Sequence, residues 1–424
     1  MGVRFSLAGV VLFLSILASL GHGFFPTIPA LPAGVLQLAV VALAWRWVPR
    51  SVKLVSSLLV LVGGLAMFVA APPGPVWFGA LQKNQAVIAM FTAVGFLRIV
   101  PMPAMAKAPP RGKWAVWQTM FSLNWFGAIV NMSAIVLFGD RLAGETRRLN
   151  RLQGMVLARG FAPAAIWSPF FVAMGIALTS APGARITALV LWGLPISQGL
   201  LLLMAWYTGR SRQEVREFSG YPLSLEALRG PIVLMAAVML AHWVRPDIPV
   251  LSIITLVVPL YALVVSRHPR GISAFAQHIV KELPRMGAEV TLFLAAGVLG
   301  TGLGALVTQI EIPFVLPSQD ALSAALGLAI ILVFAGIGVH PVVGISVIGA
   351  LFSSAGIDPN LLAMSFLMGW SLGILINPFA SVSMLLAGRY GYSFRLLWLE
   401  NSLMVILGYV LCCVWLLIYA CYSA

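Results

Sequence analysis

Trp167-Ser168-Pro169-Phe170 and Ile376-Asn377-Pro378-Phe379 decide the fold, because each sets a polar residue and a proline in the middle of a long apolar run. Proline inside a helix removes a hydrogen bond and clashes with the preceding turn, at about 3 kcal/mol. One such break reads as a kink. Two of them, 209 residues apart in a chain of 424, read as the paired feature of a duplicated chain. The same interval pairs Gly160 with Gly369, Met155 with Met364 and Asn131 with His340. Similar intervals relate residues 85–103 to 286–308 and 26–46 to 229–245. Ile28-Pro29-Ala30-Leu31 also matches Ile248-Pro249-Val250-Leu251, but at an interval of 220, out of step with the rest. That match reads as chance.

The composition says where the breaks lie. Hydrophobic residues make up 61% of the chain and charged residues 9%, against roughly 25% charged in soluble proteins. A soluble domain is excluded, and no stretch is left for one of ~50 residues. At ~20 residues per span there is room for about a dozen spans. Lys and Arg number 26 against 12 Asp and Glu, a net charge of +14. The basic residues fall between apolar runs, as the positive-inside rule requires, so no nucleic-acid partner is expected. Cys412, Cys413 and Cys421 lie in or beside the last run and read as packing residues rather than a metal or redox set. Met1–Gly23 has the marks of a signal peptide and equally of a first span. The topology closes only if it is retained.

The sequence therefore predicts an all-α polytopic membrane protein of about 11 transmembrane helices plus two re-entrant hairpins, in an inverted repeat with broken helices. Cytoplasmic loops are marked by Arg46/Arg50/Lys53, Lys107/Arg111/Lys113, Arg141/Arg147/Arg148/Arg151/Arg159, Arg210/Arg212/Arg216, Arg267/Arg270/Lys281/Arg285 and Arg389/Arg395. Residues 309–320, with two acids and no base, are expected outside. Crossings follow over 5–22, 26–46, 54–72, 85–103, 161–180, 183–207, 229–245, 248–266, 286–308, 361–388 and 396–421. The N-terminus is then cytoplasmic and the C-terminus outside. Residues 114–139 and 322–354 each have both ends on one side and fit hairpins, with tips at Asn131-Met132-Ser133 and Gly336–Pro341. A long tilted helix is the rival for the first. Irregular backbone at membrane depth is tolerated only where protein or a water-filled cavity surrounds it.

Residues 141–159 carry five Arg, and their counterparts at 350–368 carry no Lys or Arg. Corresponding loops then face opposite sides, so the repeat is inverted. The expected parts are an N-terminal helix over 1–25, a first repeat over 26–208 (hairpin 114–139, broken helix 161–180), a cytoplasmic linker over 209–228, and a second repeat over 229–424 (hairpin 322–354, broken helix 361–388). Inverted repeats whose broken helices meet at the midplane characterise secondary transporters. A half-helix starting at a break suits an anion at its N-terminus, and the carbonyls before it suit Na⁺.

This architecture resembles the ion transporter superfamily, which includes divalent-anion/sodium symporters and citrate, C4-dicarboxylate and arsenite carriers. The resemblance covers nearly the whole chain and rests on architecture more than on motif. It implies a central substrate site built by two hairpin tips and two helix breaks, here Asn131 and Ser133, Ser168 and Pro169, His340 and Pro341, and Asn377 and Pro378. Ser381 joins the last group. It further implies an elevator motion and a homodimer. The Ser-Asn-Thr signature of the dicarboxylate branch stands at neither tip, which counts against dicarboxylate specificity and sodium coupling.

Ionisable residues at membrane depth are functional candidates. His340 is expected to bind an anionic substrate or carry a coupling proton, or else to bond backbone at its turn. Glu289 is a second coupling candidate, or the partner of Lys281 and Arg285. His278 and Glu282 are four apart, but they lie in an amphipathic stretch that reads as interfacial. Gly297, Gly300, Gly302 and Gly304 suggest close helix packing. The expected function is a secondary active transporter of a small anionic solute, in the bacterial inner membrane, with no cofactor beyond Na⁺ or H⁺ as coupling ion. A flippase for a lipid-linked phosphate precursor is the alternative. A membrane-embedded transferase ranks lower, because no general acid-base constellation is visible.

Overall fold

The computed structural model describes residues 3–70, 75–100, 109–210, 212–222, 225–266, 270–310, 320–352 and 355–423. The predicted outside loop at 309–320 falls almost wholly beyond them, as do Lys107, Arg267 and the last two residues of the second hairpin. The described residues are helical, with an isolated bridge between Arg111 and Ser219 as the one β contact among them. The helices are α1 (Val3–Phe24), α2 (Leu31–Ala44), α3 (Arg50–Ala70), α4 (Pro75–Gln82), α5 (Gln85–Val94), α6 (Gly112–Val130) and α7 (Met132–Ala143). Next come α8 (Arg151–Phe161), α9 (Ala164–Trp167), α10 (Val172–Ser180), α11 (Ile186–Thr208), α12 (Arg212–Glu217), α13 (Leu225–Val244) and α14 (Val250–Val265). The last are α15 (Arg270–Gln277), α16 (Gly287–Ile310), α17 (Asp320–Gly336), α18 (Pro341–Phe352), α19 (Pro359–Gly373), α20 (Ser381–Tyr390) and α21 (Phe394–Ser423).

Six helical stretches among the described residues are long and apolar enough to cross a membrane: Val3–Phe24, Arg50–Ala70, Arg151–Ser180, Ile186–Thr208, Gly271–Gln309 and Phe394–Ser423. Their side chains are arranged for a bilayer. In α3 the exposed positions include Leu54, Leu58, Leu61, Leu65 and Phe68, spaced by three and four along one helical face, with Val60, Val62 and Val69 widening it. The buried residues include Ser56, Gly63 and Ala66. A helix that turns large apolar groups outward and small or polar ones inward needs hydrocarbon around it. In α21, likewise, Leu399, Leu403, Ile406, Val410 and Val414 are exposed, while Asn401, Gly408 and Cys412 are buried. The chain is an integral membrane protein.

The chain forms two compact units. One takes residues 1–101, 233–315 and 346–356, and the other takes 102–232, 316–345 and 357–424. The units are not the repeats expected from the sequence, over 26–208 and 229–424. Each draws segments from both.

In the first unit, α3 packs along α16 at small residues. A Cβ on Gly63 would come within 2.6 Å of the Leu299 Cα, and one on Gly302 would strike the Gly63 carbonyl. Of the four glycines expected to mark packing, Gly302 and Gly297 do so. Gly300 lies only in ordinary contact, and Gly304 faces open space. The helical stretch over 75–94 is interrupted at Lys83-Asn84, between α4 and α5. There the Asn84 amide donates to the Phe293 carbonyl at 2.9 Å. The Ile28 and Ile248 motifs, read as a chance match, fold alike. Ile28 N–H donates to the Phe25 carbonyl at 2.9 Å, and Ile248 N–H donates to the Arg245 carbonyl at 3.2 Å. Both motifs use the same Pro-x-Ile-Pro turn between two helices. The likeness is one of local turn chemistry.

In the second unit, Arg151–Ser180 is almost wholly enclosed. It starts with a capping box: Asn150 Oδ1 accepts from Gln153 N–H at 2.8 Å, and Gln153 Oε1 accepts from Asn150 N–H at 2.9 Å, satisfying two donors at once. Asp358 caps α19 without a reciprocal bond, accepting from Asn360 and Leu361 N–H, while its own N–H donates to Asp320 Oδ2 at 2.8 Å. Arg159, counted above among the loop charges, lies inside α8 and is buried. Its guanidinium donates to Asn401 Oδ1 and Thr208 Oγ1, each at 2.8 Å, and to the Glu400 carbonyl at 2.6 Å. It ties α8 to α11 and α21. Two turns into a helix is ~11 Å of depth, which a reading of clustered charges does not see. The linker segment 218–222 is also docked rather than free. It bonds alongside residues 110–112, and Tyr221 stacks on Phe138 at 4.0 Å.

Candidate functional site

Asn131 and His340, both in the second unit, each sit at the turn of a helix–turn–helix, between α6 and α7 and between α17 and α18. Asn131 has φ +57° and ψ −140°, a region that side chains avoid, at about 1–3 kcal/mol. The second tip places Gly338 (φ +92°) in its turn instead. The start of each second helix is fixed alike: Ala134 N–H donates to the Asn131 carbonyl, and Val343 N–H to the His340 carbonyl, both at 2.9 Å. Ser133 is half-buried on the first turn of α7.

The breaks sit at Ser168–Phe171, between α9 and α10, and at Ile374–Ala380, between α19 and α20. Ser168 and Asn377 are both fully buried and do the same two jobs. Each accepts from the backbone N–H two residues on: Ser168 Oγ from Phe170 at 3.1 Å, and Asn377 Oδ1 from Phe379 at 2.8 Å. Each also donates to a carbonyl of the neighbouring hairpin, Ser168 to Ala128 and Asn377 Nδ2 to Val339 at 2.7 Å. Pro169 and Pro378 lie between the two ends of each of these turns. A proline has no N–H to satisfy, and the polar residue before it takes the next one. Ser383 Oγ adds a bond to the Asn377 carbonyl at 2.7 Å, while Ser381 stands exposed at the first position of α20.

These contacts join the first tip to the first break and the second tip to the second. The two broken helices meet where the Ser371 hydroxyl donates to the Ala162 carbonyl at 2.9 Å. Asn131 and His340 make no hydrogen bond to each other. His340 Nδ1 accepts from Val342 N–H at 3.2 Å, and its ring meets the Trp370 ring edge-on at 5.4 Å. Residues 127–134, 162–172, 334–343 and 373–383 contain no Asp, Glu, Lys or Arg. His340 is their one titratable side chain. No cluster of three His, Cys, Asp or Glu suited to a metal occurs among the described residues.

Glu289 lies in the first unit, at the start of α16. Arg285, its expected partner, pairs with Glu282 at 3.3 Å instead, and Glu289 Oε2 has no hydrogen-bond partner. His278 is buried against Phe96, at 4.5 Å between ring centres, and Glu282 also faces Arg98 at 3.7 Å.

Several polar residues beside the breaks escaped the sequence reading. Asn124 donates to the Gly160 carbonyl at 3.3 Å and accepts from Gln198 at 3.2 Å. Trp125 packs on Trp167 at 4.9 Å. For Asn124 and Gln198 the signal was present: amide side chains inside apolar runs.

No protein-family model matches the chain, and no curated protein does. Among solved structures it is similar to the YdaH transporter of Alcanivorax borkumensis, at 14% identity over 84% of each chain, with a TM-score of 0.49.

Proposed function

We propose that the chain is a secondary active transporter for a small anionic solute, built on an inverted repeat, with its site between the two hairpin tips and the two helix breaks. The observation that carries this reading is the matched pair Ser168 and Asn377. Two interrupted helices at membrane depth, each stitched to the tip of a neighbouring hairpin by the same two bonds, cost stability. A helix without the break would satisfy its own backbone. Such breaks are retained where a solute must reach the bilayer midplane. The hairpins are re-entrant in this reading. Both α7 and α18 have 12 residues, about 18 Å of helix, well short of a ~30 Å hydrocarbon core.

Movement is by alternating access of the elevator type, coupled to H⁺ or Na⁺. Glu289, with an unpaired carboxylate oxygen, and His340 are the candidate coupling groups. The protein acts without a catalytic step, as a homodimer in the bacterial inner membrane, with its N-terminus in the cytoplasm.

The test is ligand-dependent thermal stability of the purified protein, followed by uptake into proteoliposomes. Carboxylates, oxyanions and lipid phosphates are compared, with and without Na⁺ and at two pH values. A ligand that binds only the folded state at 100 times its Kd adds about 2.7 kcal/mol. Stabilisation by a small anion, lost in Ser168→Ala or Asn377→Ala and accompanied by uptake, is the expected result. Stabilisation by lipid phosphates alone would transfer the reading to a flippase.

A further inference from the structure

We propose that the solute carries at most one negative charge on an apolar body, and that His340 holds it as a neutral donor through Nε2–H. This rests on the transporter reading above and narrows it.

The first ground is the charge inventory. The tips and breaks hold no Lys or Arg, so no guanidinium or ammonium meets a second carboxylate. An anion left unpaired in a low-dielectric site costs several kcal/mol even after relaxation. The second ground is that the backbone donors of the turns themselves are already used. Val342 and Val343 N–H are taken by His340, Phe379 and Ala380 N–H by Asn377, Phe170 and Phe171 N–H by Ser168, and Ala134 N–H by Asn131. With the donors of the turns used this way, the first-turn N–H groups of α7, α10 and α20, whose N-cap residues make no side-chain cap bond, are what the backbone offers an anion, and partial charges of about half a unit at a helix start suit one negative charge better than two.

The third ground is the state of His340. Its Nδ1 accepts from Val342 N–H. An imidazolium donates at both nitrogens and accepts at neither. The capped ring is therefore neutral and carries its proton on Nε2, where it makes no hydrogen bond among the described residues. One N–H donor suits one carboxylate oxygen. Beside it the surface is apolar: Trp370 lies against the ring, and Phe379, packed at Gly338, is 54% exposed.

The experiment uses the intact purified protein, with benzoate and hexanoate as singly charged probes and succinate and sulfate as doubly charged ones. Affinities are read by calorimetry for the parent, His340→Gln and His340→Asn. Gln keeps an amide N–H near the position of Nε2, whereas the shorter Asn places its amide near Nδ1 and has no donor at the Nε2 position. The expected result is binding of a monocarboxylate without succinate or sulfate. His340→Gln should retain most of the affinity and His340→Asn should lose about tenfold or more, the worth of a hydrogen bond to a charged group. Succinate or sulfate binding as tightly as the monocarboxylates would overturn the proposal and leave the transporter reading in place, and so would an unchanged affinity in His340→Asn. Binding of neither class would instead overturn the anion-transporter reading on which the proposal stands.

Discussion

The Ser371 hydroxyl donates to the carbonyl of Ala162, its own counterpart 209 residues earlier in the chain. In a two-fold arrangement a residue meets its own counterpart only near the axis. The first unit has a contact of the same kind, since Asn84 donates to the Phe293 carbonyl across the same interval. The interval read from two proline motifs is thus also the interval of side-chain contacts, once within each unit. Around Ser371 the equivalence extends to single bonds. Ser168 N–H donates to Ala164 and Asn377 N–H to Gly373, while Phe171 N–H donates to Ser168 and Ala380 N–H to Asn377.

Asn377→Ala should lower stability more than Asn377→Ser. Alanine leaves the Phe379 N–H and the Val339 carbonyl without their partner in a buried turn, at about 1–3 kcal/mol for each unsatisfied group. Serine is the residue that does the same work at position 168, so it can still accept from Phe379. Thermal unfolding of both variants in detergent reads the difference. Equal losses would mean that the accepting bond at Phe379 adds nothing.

The breaks were legible in the sequence because a polar residue precedes the proline in both motifs and one interval relates them; proline alone does not mark a break, since Pro195 and Pro259 lie inside continuous helices. The stitching was half legible. Asn377 and Ser168 were visible as polar neighbours, but the carbonyls they reach, Val339 and Ala128, carry no sequence signal. Arg159 was misread because charge clustering is judged along the chain, whereas burial is decided by which way a helix turns. With Arg159 removed from the loops, Arg141, Arg147, Arg148 and Arg151 still leave the sidedness argument intact. The break at Lys83-Asn84 was missed because no proline marks it. The interleaving of the halves into two units was also invisible, since it depends on contacts between segments more than 200 residues apart.

Gly302→Ala and Gly304→Ala, two residues apart on α16, should move stability in opposite directions. A methyl group at 302 meets the backbone carbonyl of Gly63, which cannot swing aside as a side chain can. Overpacking of this kind costs about 1–3 kcal/mol. At 304 nothing lies within 4 Å. There alanine gains roughly 0.5–1 kcal/mol through lower backbone entropy in the unfolded chain. Parallel unfolding curves of the two variants check the sign of each change.

Asp140 at the end of α7 receives a two-pronged ion pair from Arg389 at 2.8 and 2.7 Å, and a further bond from the Tyr390 hydroxyl at 2.9 Å. The Arg389 hydrogen bonds hold its carboxyl below the usual carboxylate range, near 3.9 when unperturbed. A depressed value in the folded state gives stability that is present above about pH 4 and is lost as the pH falls through the folded-state value. The pair is nearly half exposed, so its worth is about 1 kcal/mol at most. Asp140→Asn should therefore be slightly less stable than the parent at pH 7 and indistinguishable from it near pH 2. A difference that persisted in acid would assign the effect to the Tyr390 bond or to packing rather than to charge.

Single cysteines at Glu145 and Ala355, in a background with Cys412, Cys413 and Cys421 replaced, should react with a membrane-impermeant maleimide from opposite sides of the membrane. Both positions are exposed. Glu145 lies among Arg141, Arg147 and Arg148, which belong on the cytoplasmic side, and the corresponding stretch around Ala355 carries no Lys or Arg. Two counterparts on opposite faces require an inversion between the halves. The axis that brings Ser371 onto Ala162 would then lie in the membrane plane, with the two half-helices after the breaks running in opposite directions. Reaction from one side only would make the duplication parallel. The axis would then stand along the membrane normal, the pairing of Ser168 with Asn377 would describe two breaks facing the same side, and the inverted repeat on which the transporter reading is built would fall.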